Sequence, residues 1–253
     1  MTNPMELIVL PDLAQRVVEP TEVVDGEDAN RYNSACDYPT TSDYGILAEE
    51  MYRRFGITGK NILEVGPGPG NLCEELSKMG ARLVVGLDAA ETMIAYASKK
   101  YHSYIEEERM KFVKAPVYRT PFSSEFDLVV CQNSFHQLYE PRKALEEMVR
   151  VAASRGIVYI VDFRRDIDEE SFRRRVQYTK PEIRGDLINS IRASLTKQEY
   201  IDMLRSIPSI SFSVTNAENP TGLSQRVDKL IKGDPVPHWL DYLISLRVEI
   251  HKV

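Results

Sequence analysis

Residues 61–71 read NILEVGPGPGN, an apolar run that opens into a glycine-rich turn. The apolar part is typical of a short buried strand, and Glu64 is the one acid within it. Gly66, Gly68 and Gly70 then alternate with two prolines, and helical character follows. A glycine turn between a strand and a helix lets backbone N–H groups approach a ligand closely, and it points the helix N-terminus at that ligand. The stretch therefore predicts a nucleotide-type site.

Strands and helices alternate after this stretch. Four further apolar runs have the character of buried strands: 82–88, 110–115, 126–131 and 156–163. Helical segments separate them, and this alternation is typical of a parallel sheet covered on both faces. Two last runs, 210–215 and 243–250, predict an antiparallel hairpin. The expected fold is therefore an α/β, Rossmann-like, doubly wound sheet of seven strands, mostly parallel, with a C-terminal antiparallel hairpin.

The chain has 253 residues, which suits one large domain with a sizeable core. We expect residues 1–45, interrupted by four prolines, to form an irregular N-terminal arm or a lid over the glycine turn. Residues 46–253 are predicted to form a single domain. Within it we expect a helical insertion at about 167–207 and a loop insertion at about 219–238, with one short helical piece at 226–231.

Composition narrows the classes of partner. The net charge of -6 offers no general field for nucleic acid or an anionic membrane surface. No apolar run approaches the ~20 residues needed to span a bilayer, and no signal peptide is visible. The three cysteines are widely spaced, which argues against a disulfide framework and a CxxC metal site. We therefore expect a cytoplasmic protein with no nucleic-acid or membrane partner and no metal, and keep a homodimer open.

The glycine spacing bears on which nucleotide binds. An NAD-type site has G-x-G-x-x-G, whereas this turn has G-x-G-x-G with Asn71 in place of the third glycine. Glu64 would repel a pyrophosphate but suits a cationic ligand. Asp88 ends the next predicted strand, where a carboxylate accepts hydrogen bonds from ribose hydroxyls. Together the two acids describe S-adenosylmethionine as the cofactor, with an NAD-type site as the alternative.

Residues 61–163 resemble a class I S-adenosylmethionine-dependent methyltransferase, in the small-molecule branch typified by ubiquinone and menaquinone methyltransferases. The matching stretches are ILEVGPGPGNL, VVGLDAAETMIAYA, FDLVVCQNSFHQLYEP and ALEEMVRV…GIVYIVDF. Less specific similarity extends the resemblance to most of residues 17–207. It implies methyl transfer from S-adenosylmethionine to a small-molecule acceptor.

The resemblance also implies roles for individual residues. The predicted cofactor-binding residues are Glu64, Gly66, Gly68, Gly70, Asp88, Ala89, Val117, Gln132 and Asn133. Among these, Glu64 and the glycines would line the methionine end, Asp88 would bind the ribose and Ala89 would lie beside the adenine. The family usually has an Asp after the third strand that meets the adenine amino group, but Pro116 stands in that position here. We therefore expect adenine to rest on backbone groups around Val117 and Tyr118, or on packing alone.

Acceptors in this fold bind near the end of the fourth strand, where open parallel sheets place ligands. His136 lies there, and its ordinary pKa of ~6.5 suits proton transfer, with a packing role as the alternative. Predicted acceptor contacts are Tyr32, Tyr44 and Arg164, whose guanidinium matches a carboxylate or phosphate unless it only braces the fold. Two alternative functions stay open. One is non-methyl chemistry on the same cofactor, another group transfer or a cyclisation; the other is a non-catalytic cofactor-binding module.

Overall fold

A computed structural model of the chain describes residues 11–36, 41–179, 181–217 and 244–253. The predicted loop insertion at 219–238 and its helical piece at 226–231 lie outside the described residues. None of the helices in the described ranges is both long enough and apolar enough to cross a membrane.

Seven strands form one sheet in the order β3-β2-β1-β4-β5-β7-β6. Their bounds are β1 Asn61–Val65, β2 Leu83–Asp88, β3 Met110–Lys114, β4 Phe126–Gln132, β5 Ala152–Phe163, β6 Ile210–Asn216 and β7 Ser245–Lys252. The first five strands pair in parallel, and β7 pairs antiparallel with both β5 and β6. The predicted fold class is therefore confirmed, including the C-terminal hairpin.

Helices connect and cover these strands. Their bounds are α1 Gly26–Cys36, α2 Thr41–Phe55, α3 Asn71–Lys78, α4 Glu91–Lys100, α5 His102–Glu106, α6 Pro141–Val151, α7 Glu169–Gln177, α8 Arg184–Ala193 and α9 Lys197–Leu204. Short 3-10 turns lie at Phe135–Gln137 and Pro181–Ile183. Helix α9 begins with the capping box that its sequence predicts, because the Thr196 hydroxyl accepts from the Glu199 N–H and the Glu199 carboxylate accepts in return.

The expectation of an irregular arm over residues 1–45 is wrong for α1 and for the first residues of α2. Helix α1 carries Glu27 and Asp28 in its first turn, where negative charge suits the positive end of a helix. Its Ala29 is fully buried and packs in one cluster with Ala90 and Met93. The prolines that suggested irregular structure lie outside α1, so they gave no information about the conformation of residues 26–36.

The core lies on both faces of the sheet. Ile62 faces one cluster with residues of α2 and α3, and its neighbour Leu63 faces the other with residues of α6 and α9. The same alternation holds in β7, where the polar side is also covered: Arg247 is buried and donates to Glu50 of α2 at 3.1 Å. Packing on both faces fixes the strand ends, and the cavity described next lies at their carboxyl edge.

Candidate functional site

A cavity of about 220 Å³ lies at the carboxyl edge of the sheet, where β1, β2, β3 and β4 end. Its lining residues are 22–24, Tyr44, 65–69, 87–89, Met93, 115–118, 131–134, Gln137 and Leu138. One space is therefore enclosed by the edge of the sheet, by α2 and α4, and by the segment before α1. This is the edge at which open parallel sheets bind ligands.

The glycine turn forms part of the cavity wall. Gly66, Gly68 and Gly70 have φ angles of 67°, 51° and 81°, a left-handed backbone that side chains other than glycine rarely adopt. Gly66 and Gly68 line the cavity, and a Cβ on Gly66 would lie 2.0 Å from the Ser134 Oγ. Gly70 does not line it. A Cβ there would meet the Tyr101 and Phe112 rings at 2.9 and 3.0 Å, so this glycine serves packing.

Glu64 lies beneath the turn rather than on the cavity surface. Its carboxyl group is buried and accepts a hydrogen bond from the Cys73 thiol of α3 at 2.9 Å. Burial raises the pKa of Glu64 to about 8, because the charged form loses its hydration. Glu64 is not among the residues that line the cavity, so a cationic ligand would interact with it through the turn.

Asp88 ends β2 and lines the cavity directly. Its Oδ1 accepts the Ala90 N–H at 2.9 Å, and the N–H groups of Gly68 and Ala89 also favour its charged form. Burial outweighs these bonds and raises the pKa of Asp88 to about 6, so the group is ionised at neutral pH. Asp88 is thus an oriented acceptor beside Ala89 at the open end of a strand.

The wall that follows β3 is formed by Ala115, Pro116, Val117 and Tyr118. No side-chain carboxylate belongs to this segment. Instead the Tyr118 hydroxyl donates to Glu22, and the backbone N–H of Tyr139 donates to the same oxygen at 2.6 Å.

Residues 16–25 form a strap across the cavity, and polar contacts attach it at both ends. At one end the Arg16 guanidinium donates to the carbonyl oxygens of His136 and Leu138 at 2.9 and 2.7 Å. At the other end, Asp25 accepts the N–H of Thr92 at 2.9 Å in the first turn of α4. Hydrogen bonds lower the pKa of Asp25 to about 2, first that of the Thr92 side chain and then those of the Thr92 and Gly26 backbone N–H groups.

The middle of the strap brings Glu22, Val23 and Val24 into the cavity lining. Sequence reasoning missed all three. Glu22 and Tyr118 are 96 residues apart, and no local pattern marks a contact at that separation. The one available signal was the cluster of acids at 22–28 in a segment otherwise expected to be an arm or a lid.

The end of β4 supplies Gln132, Asn133 and Ser134 to the cavity. Asn133 has a φ of 47°, and its N–H donates to the Val161 carbonyl at 2.8 Å. Asn is one of the residues that tolerates this left-handed conformation, so Asn133 turns the chain while its neighbours reach the cavity.

His136 is placed behind the cavity. Its ring is buried, with Nδ1 2.7 Å from the Asp162 Oδ1 and Nε2 3.5 Å from a Glu19 oxygen. Burial lowers the pKa of His136, but the charge and hydrogen bond of Asp162, together with the charge of Glu19, outweigh burial and raise the pKa above its ordinary value. The ring does not line the cavity.

The structure places the three predicted acceptor contacts differently. Tyr44 lines the cavity. Arg164 does not, and its Nε donates to the Asp166 Oδ1 at 2.9 Å, as in the bracing alternative. The side chain of Tyr32 lies outside the described residues, although its backbone belongs to α1.

Residues 63–160 match the family model described as "Methyltransferase domain". The chain is similar to a demethylmenaquinone methyltransferase of Clavibacter sepedonicus, with 31% identity over 108 residues that cover 42% of each chain. It is also similar to a ubiquinone biosynthesis O-methyltransferase of Hydrogenovibrio crunogenus, with 25% identity over 56% of this chain and 62% of that protein. The chain thus spans less than two thirds of the length of these relatives.

Solved structures share the fold over most of the chain. An S-adenosyl-L-methionine-dependent methyltransferase of Methanococcus maripaludis superposes with a TM-score of 0.68, 20% identity, and coverage of 94% and 97% of the two chains. The plantazolicin methyltransferase BpumL, in complex with a triazolic desmethylPZN analog and SAH, has a TM-score of 0.66, 18% identity, and coverage of 88% and 89%. At this identity the likeness concerns the fold.

Proposed function

We propose that this chain, which belongs to the class I S-adenosylmethionine-dependent methyltransferases, transfers the methyl group of that cofactor to a neutral or cationic small molecule. One observation carries the proposal. Asp88 and the Gly66–Gly68 backbone line the same cavity, so a ribose acceptor and a closely approachable turn face one ligand.

The residues present fit the cofactor. Asp88 offers an ionised carboxylate to two ribose hydroxyls, and Gly66 and Gly68 leave room for the methionine portion because neither carries a Cβ. Beneath the turn, burial favours the neutral form of Glu64, and the positive charge of a sulfonium or ammonium in the cavity would favour its charged form. When bound, the cofactor supplies an electrophilic methyl group on a sulfur that leaves as a thioether.

The protein's own contribution is positioning. A displacement at carbon needs nucleophile, methyl and sulfur in line, and holding them so supplies a large entropic advantage. Gln132, Ser134 and Gln137 offer polar groups in the lining, and Tyr44 adds a hydroxyl from α2. These groups would orient an acceptor and hold its reacting atom toward the methyl group.

The charges in the lining define the class of acceptor. Of the described residues that line the cavity, only Glu22 and Asp88 carry charge, and neither Lys, Arg nor His is among them. An anionic acceptor bound here would be desolvated without a cation among these lining residues to pair with it. The expectation that Arg164 binds an anion therefore finds no support in the lining, since Arg164 pairs with Asp166 outside it.

His136 is proposed to act by positioning rather than as the base. Its ring joins Asp162 and Glu19, while its backbone carbonyl accepts from Arg16 of the strap. Through these contacts it connects the end of β5 to the segment that covers the cavity. A proton released by the acceptor would then pass to solvent or to another lining group.

Calorimetry with S-adenosylhomocysteine tests the proposal. We expect binding by the wild-type chain and a loss of about 100-fold in affinity for Asp88→Ala, because two hydrogen bonds to a charged group disappear. Asp202→Ala is the matched control, since Asp202 lies on α9 and pairs with Arg205 at 3.6 Å. Absence of binding by folded wild-type protein, or equal affinities for the two variants, would contradict the proposal.

Product analysis separates methyl transfer from the alternatives. Methyl transfer yields S-adenosylhomocysteine and a methylated acceptor, whereas internal cyclisation or another transfer yields methylthioadenosine. A cofactor-binding module would bind without turnover across a screen of neutral and cationic acceptors.

A cytoplasmic setting, no nucleic-acid partner and a homodimer also stay part of the proposal. The net charge of -6 supports the absence of nucleic acid. The free thiols Cys73 and Cys131 are both buried, which suits a reducing compartment. Light scattering at several concentrations measures the oligomeric state, and one unchanging monomer mass would exclude the dimer.

A further inference from the structure

Glu22 is a carboxylate that reaches the cavity from the strap. Its Oε1 accepts both the Tyr118 hydroxyl and the Tyr139 N–H, the latter at 2.6 Å. No group in the described part of the chain donates to its Oε2. One oxygen therefore holds the side chain in place, and the other keeps its acceptor capacity for a ligand in the cavity that Glu22 lines.

The order of the strands indicates which part of the cofactor lies near Glu22. Asp88, at the end of β2, takes the ribose, and β2 lies between β1 and β3. The glycine turn after β1 occupies the side toward β4, where the sulfur must face the acceptor. The base then extends the other way, toward the end of β3 and residues 115–118, whose Tyr118 is the hydrogen-bond partner of Glu22.

We propose that Glu22 is the acceptor for the exocyclic amino group of the cofactor's adenine, and so a specificity-determining residue of the site. The inference rests on the proposed function, because it takes the ribose to lie at Asp88. It also explains how the adenine can be recognised although Pro116, in the cavity wall after β3, supplies no carboxylate.

The chemistry of the base fits this assignment. An adenine amino group donates hydrogen bonds, and among the described lining residues Glu22 is the one acid besides Asp88. A hypoxanthine base carries a carbonyl oxygen at the same place, which a carboxylate repels. A carboxylate at this position therefore favours adenine by attraction and disfavours hypoxanthine by repulsion.

The same contact joins cofactor binding to closure of the strap. Glu22 lies between Arg16, which is attached to the end of β4, and Asp25, which is attached to α4. A base that binds the free oxygen of Glu22 adds a ligand contact to a segment otherwise held by a few hydrogen bonds. Binding of the adenosine end therefore stabilises the closed strap before an acceptor reacts.

Calorimetry with two ligands tests the inference: S-adenosylhomocysteine and S-inosylhomocysteine, which differ in that amino group. We expect the wild-type chain to prefer the adenosine ligand by about 10- to 100-fold, the effect of one hydrogen bond to a charged group. Glu22→Gln is nearly isosteric, and its amide can either accept from an amine or donate to a carbonyl. In this variant the preference should fall to about threefold or less, and Glu22→Ala should behave likewise.

Two control variants separate the base contact from the strap. Tyr118→Phe removes the hydrogen bond that holds Glu22 but keeps the carboxylate, so both ligands should weaken while the preference stays. Glu19→Gln alters a strap residue that accepts from Ser190 at 2.9 Å outside the cavity lining, and it should also keep the preference. A wild-type preference retained in Glu22→Gln and Glu22→Ala, or absent from the wild-type chain that binds S-adenosylhomocysteine, overturns the inference and leaves the proposed function intact. Failure of the wild-type chain to bind either ligand contradicts the proposed function instead.

Discussion

The floor of the cavity and its cover are held in different ways. The floor, formed by residues 66–70 and Asp88, continues two adjacent strands, and the Gly66 N–H donates to the Leu87 carbonyl at 2.9 Å. The cover is the strap of residues 16–25, which takes no part in the sheet and is attached through side chains such as Arg16 and Glu22. The floor therefore unfolds only with the core, whereas the cover can open while the core stays folded.

Gly66→Ala should have the largest effect, because it changes the floor where backbone and packing leave no room. The backbone is left-handed, which costs about 1–2 kcal/mol for alanine, and the Cβ would lie 2.0 Å from the Ser134 Oγ. With overpacking included we expect a loss of about 2–5 kcal/mol in the free energy of unfolding. Urea denaturation followed by circular dichroism measures it.

Gly59→Ala is the matched control, since Gly59 has a φ of 77° but no atom within 4 Å of the added Cβ. We expect Gly59→Ala to lower the free energy of unfolding only by the cost of a left-handed backbone for alanine, about 1–2 kcal/mol. The double variant Gly66→Ala with Ser134→Gly should recover the part of the lost unfolding free energy that comes from the clash with the Ser134 side chain. Equal losses for the two alanine variants would mean that the floor is not tightly packed against Ser134.

Glu64→Gln should have the next largest effect, and only at higher pH. Glu64 has a pKa of 4.5 when exposed and about 8 when buried under the floor. Its contribution to stability is therefore fully present below pH 4.5 and is lost as the pH rises through 8. Gln mimics the protonated form, so the variant should gain about 4 kcal/mol over the wild-type chain between pH 5 and 9, at about 1.4 kcal/mol per pH unit until the pH reaches the folded pKa of about 8.

Urea midpoints across this pH range provide the measurement for Glu64→Gln. Cys73→Ala removes the thiol that donates to Glu64 at 2.9 Å but keeps the carboxyl group, so it should retain the pH dependence. Parallel curves for the wild-type chain and Glu64→Gln would show that Glu64 stays charged under the turn, as a permanent partner for a cation.

The difference between floor and cover also explains what could be predicted from the sequence. The order of strands, Asp88 and the cavity-lining glycines follow from local pattern, because strand ends in a parallel sheet share one edge. Glu64 was correctly identified as an acid inside β1, but its position on the buried side of the turn depends on packing against α3. Glu22 depends on contacts across about a hundred residues, and no local pattern encodes those.

Arg16→Ala should have the smallest effect on global stability and the clearest effect on the cover. The guanidinium holds the strap through carbonyl oxygens that belong to residues of the 3-10 turn and its end, His136 and Leu138. Those carbonyls can bind water when the strap leaves, so we expect a loss of only about 1–2 kcal/mol. Endoproteinase Glu-C, which cuts after Glu22 in the strap but not at the Glu19–Pro20 bond, should cleave the variant at Glu22 much faster than the wild-type chain.

Arg31→Ala is the control, because Arg31 on α1 is exposed and pairs only with Asp28 among the described residues, at 3.4 Å. It should leave the cleavage rate unchanged. S-adenosylhomocysteine should slow cleavage of the wild-type chain, because a ligand that contacts the cover in its closed position shifts the equilibrium away from the open one. If the ligand protects the chain from cleavage after Glu22 no better than buffer does, then the cover does not contact the cofactor, and its contacts with the core serve the fold alone.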